Sequence, residues 1–460
     1  MVDGADILFL DAHAQAELLS HGHLTADELR ELSTARIEAV DPGLTAVSHR
    51  SFDLARRQTG ARHGAGRMQG IPWLVKDSLP YTGLPMECGS RFLADAPVAA
   101  SQFALADRLD AAGLLLLGKS AVPEFSLLPT TESALLGPTA NPWDRTRSAG
   151  GSSGGAAVAV ASGMVPVAHA ADGGGSIRIP ASCCGVVGLK PSRGANLRAR
   201  GFHLLEDILV SDAMLTRSVR DTAWFARWLR PAHVQQQAKP GPLRIVQCNR
   251  GMNGALPDPA VADAIDRTAR LCAELGHHVE RIDHLPADLC AAGDLFRLLW
   301  QFLARDGVEH CRAAAGGRDL SGLLEPWALG LAERAAMMDP VQLGECYAGI
   351  GEVTRAVARF FETCDVLLTP VVASPPPLLG HLAGTRDFDA LFADMFDYIA
   401  YTPLQNLSGT PSISLPLHLT PDGLPVGSML SGPFGGDETL LRLAADLEEA
   451  SPWSHRRPPV

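Results

Sequence analysis

A chain of 460 residues with 39 Lys and Arg against 51 Asp and Glu, a formal net charge of −12, lacks the cationic excess that nucleic-acid phosphates require of a partner. Hydrophobic residues at 46% and charged residues at 20% suit a sizeable core and exclude a disordered chain, and no stretch approaches the roughly 18 apolar residues of a membrane span. The acidic start, Met1-Val2-Asp3-Gly4-Ala5-Asp6, is unlike a secretory signal, and nine cysteines without a C-x-x-C pair read as free thiols, so the expected setting is cytoplasmic and no metal centre is expected.

In chain order, residues 5–40 predict two surface helices outside the core, with Leu8, Leu18, Leu19, Leu29, Leu32 and Ile37 among charges and Thr25 as an N-cap. Residues 71–75 predict a strand that delivers Lys76, and Ser101 would cap a helix ending at Gly113. The next strand covers 114–117. Its surroundings, Gly113-Leu114-Leu115-Leu116-Leu117-Gly118-Lys119-Ser120, match a P-loop literally, but four leucines read as a buried strand and Pro123 spoils the helix that should receive phosphate. A helix is predicted over 156–162, with strands at 165–170 and 186–189 and the adjacent Cys183 and Cys184 as small core residues.

Strands at 243–247 and 279–282 flank a helix that opens at Asp258-Pro259, carries Val261, Ile265, Ala269 and Leu275, and stops at Gly276. Residues 285–360 break the rhythm. They read as mostly helical, with Phe296, Leu299, Trp300, Phe302, Trp327 and Tyr347 at loosely helical spacing, either packed over the sheet or forming a substrate-lining cap. Strands at 366–369, 412–417 and 426–430 follow, the first separated from the others by the stiff Pro375-Pro376-Pro377. This alternation predicts an α/β fold, a sheet covered on both faces. Length alone permits two or three domains or one large α/β enzyme.

Two glycine-guarded serines carry the chemistry. Gly150-Gly151-Ser152-Ser153-Gly154 fits the G-x-S-x-G nucleophile elbow, yet the preceding Asn141-Pro142-Trp143-Asp144-Arg145-Thr146-Arg147 is turn-like where an elbow needs a strand. Ser176 has the better context, because a predicted strand runs into Ala171-Asp172-Gly173-Gly174-Gly175-Ser176. There the N–H groups of Gly173, Gly174, Gly175 and Ser176 can converge on an oxyanion, the other reading being a tight turn with a solvated serine. A serine hydroxyl needs a base. His169, on the extended approach to Ser176, would have to fold back and reads as structural. Lys76, ending a buried strand, loses its proton more easily through desolvation, although most lysines at strand ends are merely solvated.

Taken together, these residues resemble the amidase signature family, whose hallmark is a Ser–cis-Ser–Lys triad. The likeness runs through Gly70-Ile71-Pro72-Trp73-Leu74-Val75-Lys76-Asp77, Gly118-Lys119-Ser120-Ala121-Val122-Pro123-Glu124-Phe125, Asn141-Pro142-Trp143-Asp144, the Gly150 to Gly155 run and Asp172 to Pro191. It resumes at Asp365-Val366-Leu367-Leu368-Thr369-Pro370, Asn406-Leu407-Ser408-Gly409-Thr410-Pro411 and Asp422-Gly423-Leu424-Pro425-Val426-Gly427, leaving the middle of the chain uncovered. The glycine-rich stretch looks most like the branch containing 6-aminohexanoate cyclic dimer hydrolases.

The resemblance implies a large mixed, mostly parallel central β-sheet covered by helices on both faces, one amidase domain over 1–460, and 285–360 as a helical substrate-specificity region. It implies Ser176 as nucleophile, Ser152 after a cis peptide at Gly151 as proton bridge, and Lys76 as base. Ser153, Asp172 and Gly151 would support the site, Arg178 would brace the turn in preference to meeting substrate, and Ser126, Leu127, Leu128, Thr130 and Thr131 would line the acyl side. The expected partner is a small-molecule amide, linear or cyclic, with no metal or organic cofactor, no nucleic acid and no membrane; a homodimer is left open. Many family members carry threonine or isoleucine where this chain has Gly173, and the extra glycine predicts more room beside the oxyanion hole. Two alternatives are an amidotransferase-type subunit releasing ammonia to a partner and a non-catalytic, Gly-rich nucleotide binder.

Overall fold

Each of the nine predicted strands is present, with ends that shift or lengthen, in a computed structural model that describes residues 4–60, 66–197 and 204–460. Among these residues one sheet is built from β1 (Val47–Arg50), β2 (Pro72–Lys76), β3 (Leu115–Ser120), β4 (Val167–Asp172), β5 (Val187–Lys190), β6 (Ser211–Thr216), β7 (Arg244–Cys248), β8 (His278–Ile282), β9 (Val366–Pro370), β10 (Ser412–Leu419) and β11 (Pro425–Ser431). Their spatial order is β1-β3-β2-β4-β6-β5-β10-β11-β9-β7-β8. The large mixed sheet is the expected one. Its parallel pairs lie in two wings, β3-β2-β4 and β9-β7-β8, and the strands between the wings pair antiparallel.

The two unpredicted strands of this sheet explain themselves. β1 is an edge strand of half-exposed residues, Val-Ser-His-Arg, without an apolar run. β6, Ser-Asp-Ala-Met-Leu-Thr, opens on two polar residues and has only a short apolar run, and it is clamped between β4 and β5, whose ladders satisfy its backbone.

Both faces of the sheet are buried except at its two edge strands, which is why the inner strands lack polar alternation. Leu74, Leu117, Ala168, Ala170, Leu367 and Met429 join one large core, together with the helices Gly154–Ala161 and Arg178–Cys184. Trp73, Val75, Leu116 and Met214 face a second core at one wing, and Val187, Leu189, Leu368 and Leu430 a third at the other. The N-terminal helices depart from expectation. Thr25 does cap Ala26–Val40 through a capping box with Glu28, but Leu29 and Ile37 are fully buried in two different cores, so this helix is part of the packed body. The helix before Gly113 starts at Ala104 without a side-chain cap, and Ser101 lies outside it.

The P-loop reading ends here. Residues 115–120 form a wholly buried strand, and Lys119 is locked in an ion pair with Asp77 at 2.8 Å, leaving no exposed N–H cradle. The predicted helical stretch comprises Ala287–Cys290, Ala292–Ala315, Pro326–Ala336 and Pro340–Thr363, and its Phe296, Leu299, Trp300, Phe302 and Trp327 enter the same core as the two site helices. No helix among the described residues is long and apolar enough to cross a membrane.

Candidate active site

Strand alternation decides where Lys76 points. In β2, Trp73 and Val75 face one core and Leu74 the other, so Lys76 projects on the Leu74 face. There its Nζ donates to Ser152 Oγ at 2.7 Å and to the Ala171 carbonyl at 3.3 Å. Ser152 follows a cis peptide at Gly151, in the loop that enters the helix Gly154–Ala161. A Cβ on Gly151 would stand 2.2 Å from the Thr130 carbonyl oxygen, a backbone contact that only glycine permits. Ser153 brackets the neighbouring strand, its hydroxyl donating to Ala171 O at 3.3 Å and accepting from Ala171 N at 3.4 Å.

Ser176 closes the run that leaves β4, ahead of the helix Arg178–Cys184. It is 7% exposed where Lys76 and Ser152 are each 1%, which makes it the most accessible of the three. One expected oxyanion donor is not available. Gly175 N–H is turned back to Asp172 Oδ1 at 2.7 Å, because the carboxylate sits inside the turn and also accepts from Ile177 N at 3.1 Å. The N–H groups of Gly173, Gly174 and Ser176 have no acceptor among the described residues.

Asp172 and Arg178 are both wholly buried, and their side chains meet through two bonds, Nε to Oδ2 at 2.8 Å and Nη2 to Oδ1 at 2.9 Å. Burial alone would raise the Asp172 carboxyl; the charge and hydrogen bonds of Arg178 outweigh it and hold the group well below the usual carboxylate range. The remaining Arg178 donors go to Gln405 Oε1 at 3.0 Å, Asn406 Oδ1 at 2.7 Å and Met429 Sδ at 3.5 Å. Arg178 thus ties the turn to the Gln405–Asn406 segment.

The Asn406 motif is visible in the sequence, but its part in the site is not. Asn406 Nδ2 reaches Asp172 O, Asp172 Oδ1 and Leu209 O, and Thr402 Oγ1 donates to Gly174 O at 2.6 Å. The signal is the Asn-Leu-Ser-Gly-Thr-Pro motif itself. Its contacts to residues more than 190 positions away have no local trace. His169 is structural, as expected, and it supports the lysine strand. Its Nδ1 accepts from the Lys76 backbone N–H at 3.4 Å and its Nε2 meets Asp212 Oδ1 at 3.0 Å.

The strip expected to line the acyl side divides. The hydroxyls of Thr130 and Thr131 are engaged around the serine loop: Thr130 bonds Glu132 and Ser148, and Thr131 bonds Gly150 O and Gly154 N. The half-buried Ser126 presents an Oγ with no partner among the described residues. Leu127 and Leu128 are buried, and the Leu127 carbonyl accepts from two indoles, Trp300 Nε1 and Trp327 Nε1, each at 3.1 Å. Just before the strip, Glu124 Oε2 accepts from Glu325 N and Oε1 from the Ser90 hydroxyl. Burial pushes the Glu124 carboxyl up to about 7, with the nearby Glu325 charge adding to the rise. The room predicted beside Gly173 is filled: a Cβ there would meet Val210 Cγ2 at 3.2 Å and the Trp300 ring at 3.6 Å.

Comparison with known proteins gives the family. The Amidase family model matches residues 28–441. The putative amidase AmiC of Mycobacterium leprae (strain TN) is 40% identical over 457 residues, covering 97% of this chain and 96% of that protein. The 6-aminohexanoate-cyclic-dimer hydrolase of Pseudomonas sp. (strain NK87) is 34% identical, with 98% and 97% covered. A solved structure of 6-aminohexanoate cyclic dimer hydrolase is similar with a TM-score of 0.90 at 32% identity, spanning 98% of this chain and 99% of that one. Since the match takes in the lysine strand, both serine loops and the Asp172 turn alike, the chain belongs to the amidase family and is an amide hydrolase.

Proposed function

We propose that this protein hydrolyses the C–N bond of a linear or cyclic carboxamide through an acyl-enzyme on Ser176, with Ser152 as proton bridge and Lys76 as base. The observation that carries the reading is the 2.7 Å contact between Lys76 Nζ and Ser152 Oγ, buried from solvent at the end of β2. A lysine so placed, in its amine form, serves a serine hydroxyl as base without a histidine.

Ser176 Oγ attacks the amide carbonyl carbon while its proton passes to Ser152, whose own proton passes to Lys76. The carbonyl oxygen takes the negative charge and lies against the uncommitted N–H groups of Gly173, Gly174 and Ser176; loss of one such donor typically lowers the rate by about 10²–10³. The relay then returns the proton to the leaving nitrogen as the C–N bond breaks. Water attacks the ester carbon, gives its proton to the same relay, and releases the carboxylate with Ser176 restored. Asp172, Arg178 and Asn406 hold the turn that presents these donors. The names of the relatives, amidases and a cyclic-dimer hydrolase, support an amide substrate.

The test is intact-protein and peptide mass spectrometry after exposure to a fluorophosphonate. The expected result is one adduct on Ser176, absent in Ser176→Ala and strongly reduced in Lys76→Ala. An adduct on Ser152, or none in the wild-type protein, would overturn the assignment.

A further inference from the structure

The stretch Ala292–Ala315 reaches the candidate site with two aromatic side chains. Phe296 Cζ stands 2.6 Å from where a Cβ on Gly174 would lie, and Trp300 Cζ3 and Cη2 stand 3.6 and 3.8 Å from the corresponding point on Gly173. The two rings pack on each other with centroids 5.1 Å apart. Trp300 is 5% exposed and its Nε1 donates to Leu127 O, one residue beyond the unpartnered hydroxyl of Ser126. One rigid indole therefore bridges the flank of the oxyanion turn and the 126–128 strip.

We infer that Trp300 is a specificity-determining residue, whose ring closes the acyl side of the site and restricts substrates to amides of slim acyl groups, unbranched next to the carbonyl. This rests on the acyl-enzyme reading above. An amide bound with its oxygen at the Gly173, Gly174 and Ser176 donors has two substituents. The nitrogen has to face Ser152 to be protonated, so the acyl group turns away from Ser152 along the flank of the turn. At Gly173 that flank is made by Val210 and Trp300. The hydrogen bonds of Trp300 go to Leu127 and none to the Ser152 loop, so its removal leaves the relay standing. Trp327 Nε1 also donates to Leu127 O, so the strip keeps an anchor when Trp300 is replaced. A pocket wall that gains or loses a few carbon atoms changes relative rates by roughly 10–200-fold.

The test compares wild type, Trp300→Leu, Trp300→Phe and Trp327→Phe on two anilides with one leaving group, 4-nitroacetanilide and 4-nitrobenzanilide. In parallel, the rate of Ser176 labelling is measured with methyl- and phenyl-substituted phosphonofluoridates that share one alkoxy group. Wild type is expected to favour the methyl member of each pair. Trp300→Leu should shift the phenyl-to-methyl ratio upward by about tenfold or more, Trp300→Phe less in the same direction, and Trp327→Phe not at all. Should Trp300→Leu not fold, as judged by its melting transition, Trp300→Phe decides. A fall in both members with an unchanged ratio makes Trp300 merely structural and overturns the inference, as does a ratio that moves equally in Trp327→Phe. Failure of both reagents to label Ser176 in wild type sinks the acyl-enzyme reading; labelling of Ser176 with an unaltered size ratio sinks this inference alone.

Discussion

The serine loops and the helical stretch between Ala287 and Thr363 enter the same core, yet they are held by different kinds of contact. Around Ser152 and Ser176 the contacts end on backbone: Gly151 sits against the Thr130 backbone, the Thr131 hydroxyl ties the loop at both Gly150 O and Gly154 N, and the Asp172 carboxylate gathers N–H groups of its own turn. The helical stretch touches the site through a few long side chains, chiefly Phe296, Trp300 and Trp327, and through the Glu325 N–H. Contacts of the first kind tolerate almost no substitution, because a backbone atom cannot move aside for a new Cβ. Contacts of the second kind can be refitted with other side chains while the chemistry beneath stays in place. Under the proposed function, the difference places the reaction in one region and the choice of substrate in the other.

The largest effect that would break this division is at the relay. We predict that Lys76→Ala lowers kcat/KM by at least ~10³-fold, a loss at the upper end of what a single acid–base group supplies. A loss below tenfold would remove Lys76 from the chemistry. Next in size is Asp172→Ala, which strands the buried Arg178 charge and should destabilise the protein by about 3–5 kcal/mol in denaturant unfolding. A change under about 1 kcal/mol would mean that Asn406 and Gln405 alone can hold the guanidinium.

Smaller effects test the helical side. Trp327→Phe keeps a ring and loses one N–H to Leu127 O, which Trp300 still serves, so about 0.5–1.5 kcal/mol of stability should be lost with kcat nearly unchanged. The smallest prediction concerns Glu124, whose folded-state carboxyl is pushed up to about 7 from an ordinary value of 4.5. A raised carboxyl means that the native state binds more protons than the unfolded state between these values. Its contribution is then fully present below about pH 4.5 and is lost as pH rises through about 7. Melting temperatures across pH 5–8 should fall in wild type and fall less in Glu124→Gln, where the amide can still accept from Glu325 N and donate to Ser90 Oγ. An identical slope in both proteins would show that the group titrates normally.

Much of this was legible in the chain, and the reason is particular to each element. Runs such as Leu-Leu-Leu before Gly118 and Val-Leu-Leu-Thr after Asp365 announce strands buried on both faces, since no polar alternation interrupts them. Gly151 announces itself as well, because close backbone approach leaves glycine as its mark. β6 was hidden because Ser211 and Asp212 look like turn residues until β4 pairs with them and β5 with Leu215 and Thr216. The commitment of Gly175 N–H to Asp172 was hidden too, since four consecutive N–H groups look alike in a sequence and only the fold of the turn directs one of them inward.

The sequence by itself determined the alternation of strands and helices, the two glycine-guarded serines and the lysine that ends a buried strand, because local geometry restricts which residues can stand there. Only the tertiary structure decided that Lys76 meets Ser152, that Asn406 and Arg178 share Asp172, and that the space beside Gly173 belongs to Trp300. These pairings join residues far apart along the chain, and burial and hydrogen bonding act on neighbours in space, whose identity no local pattern records.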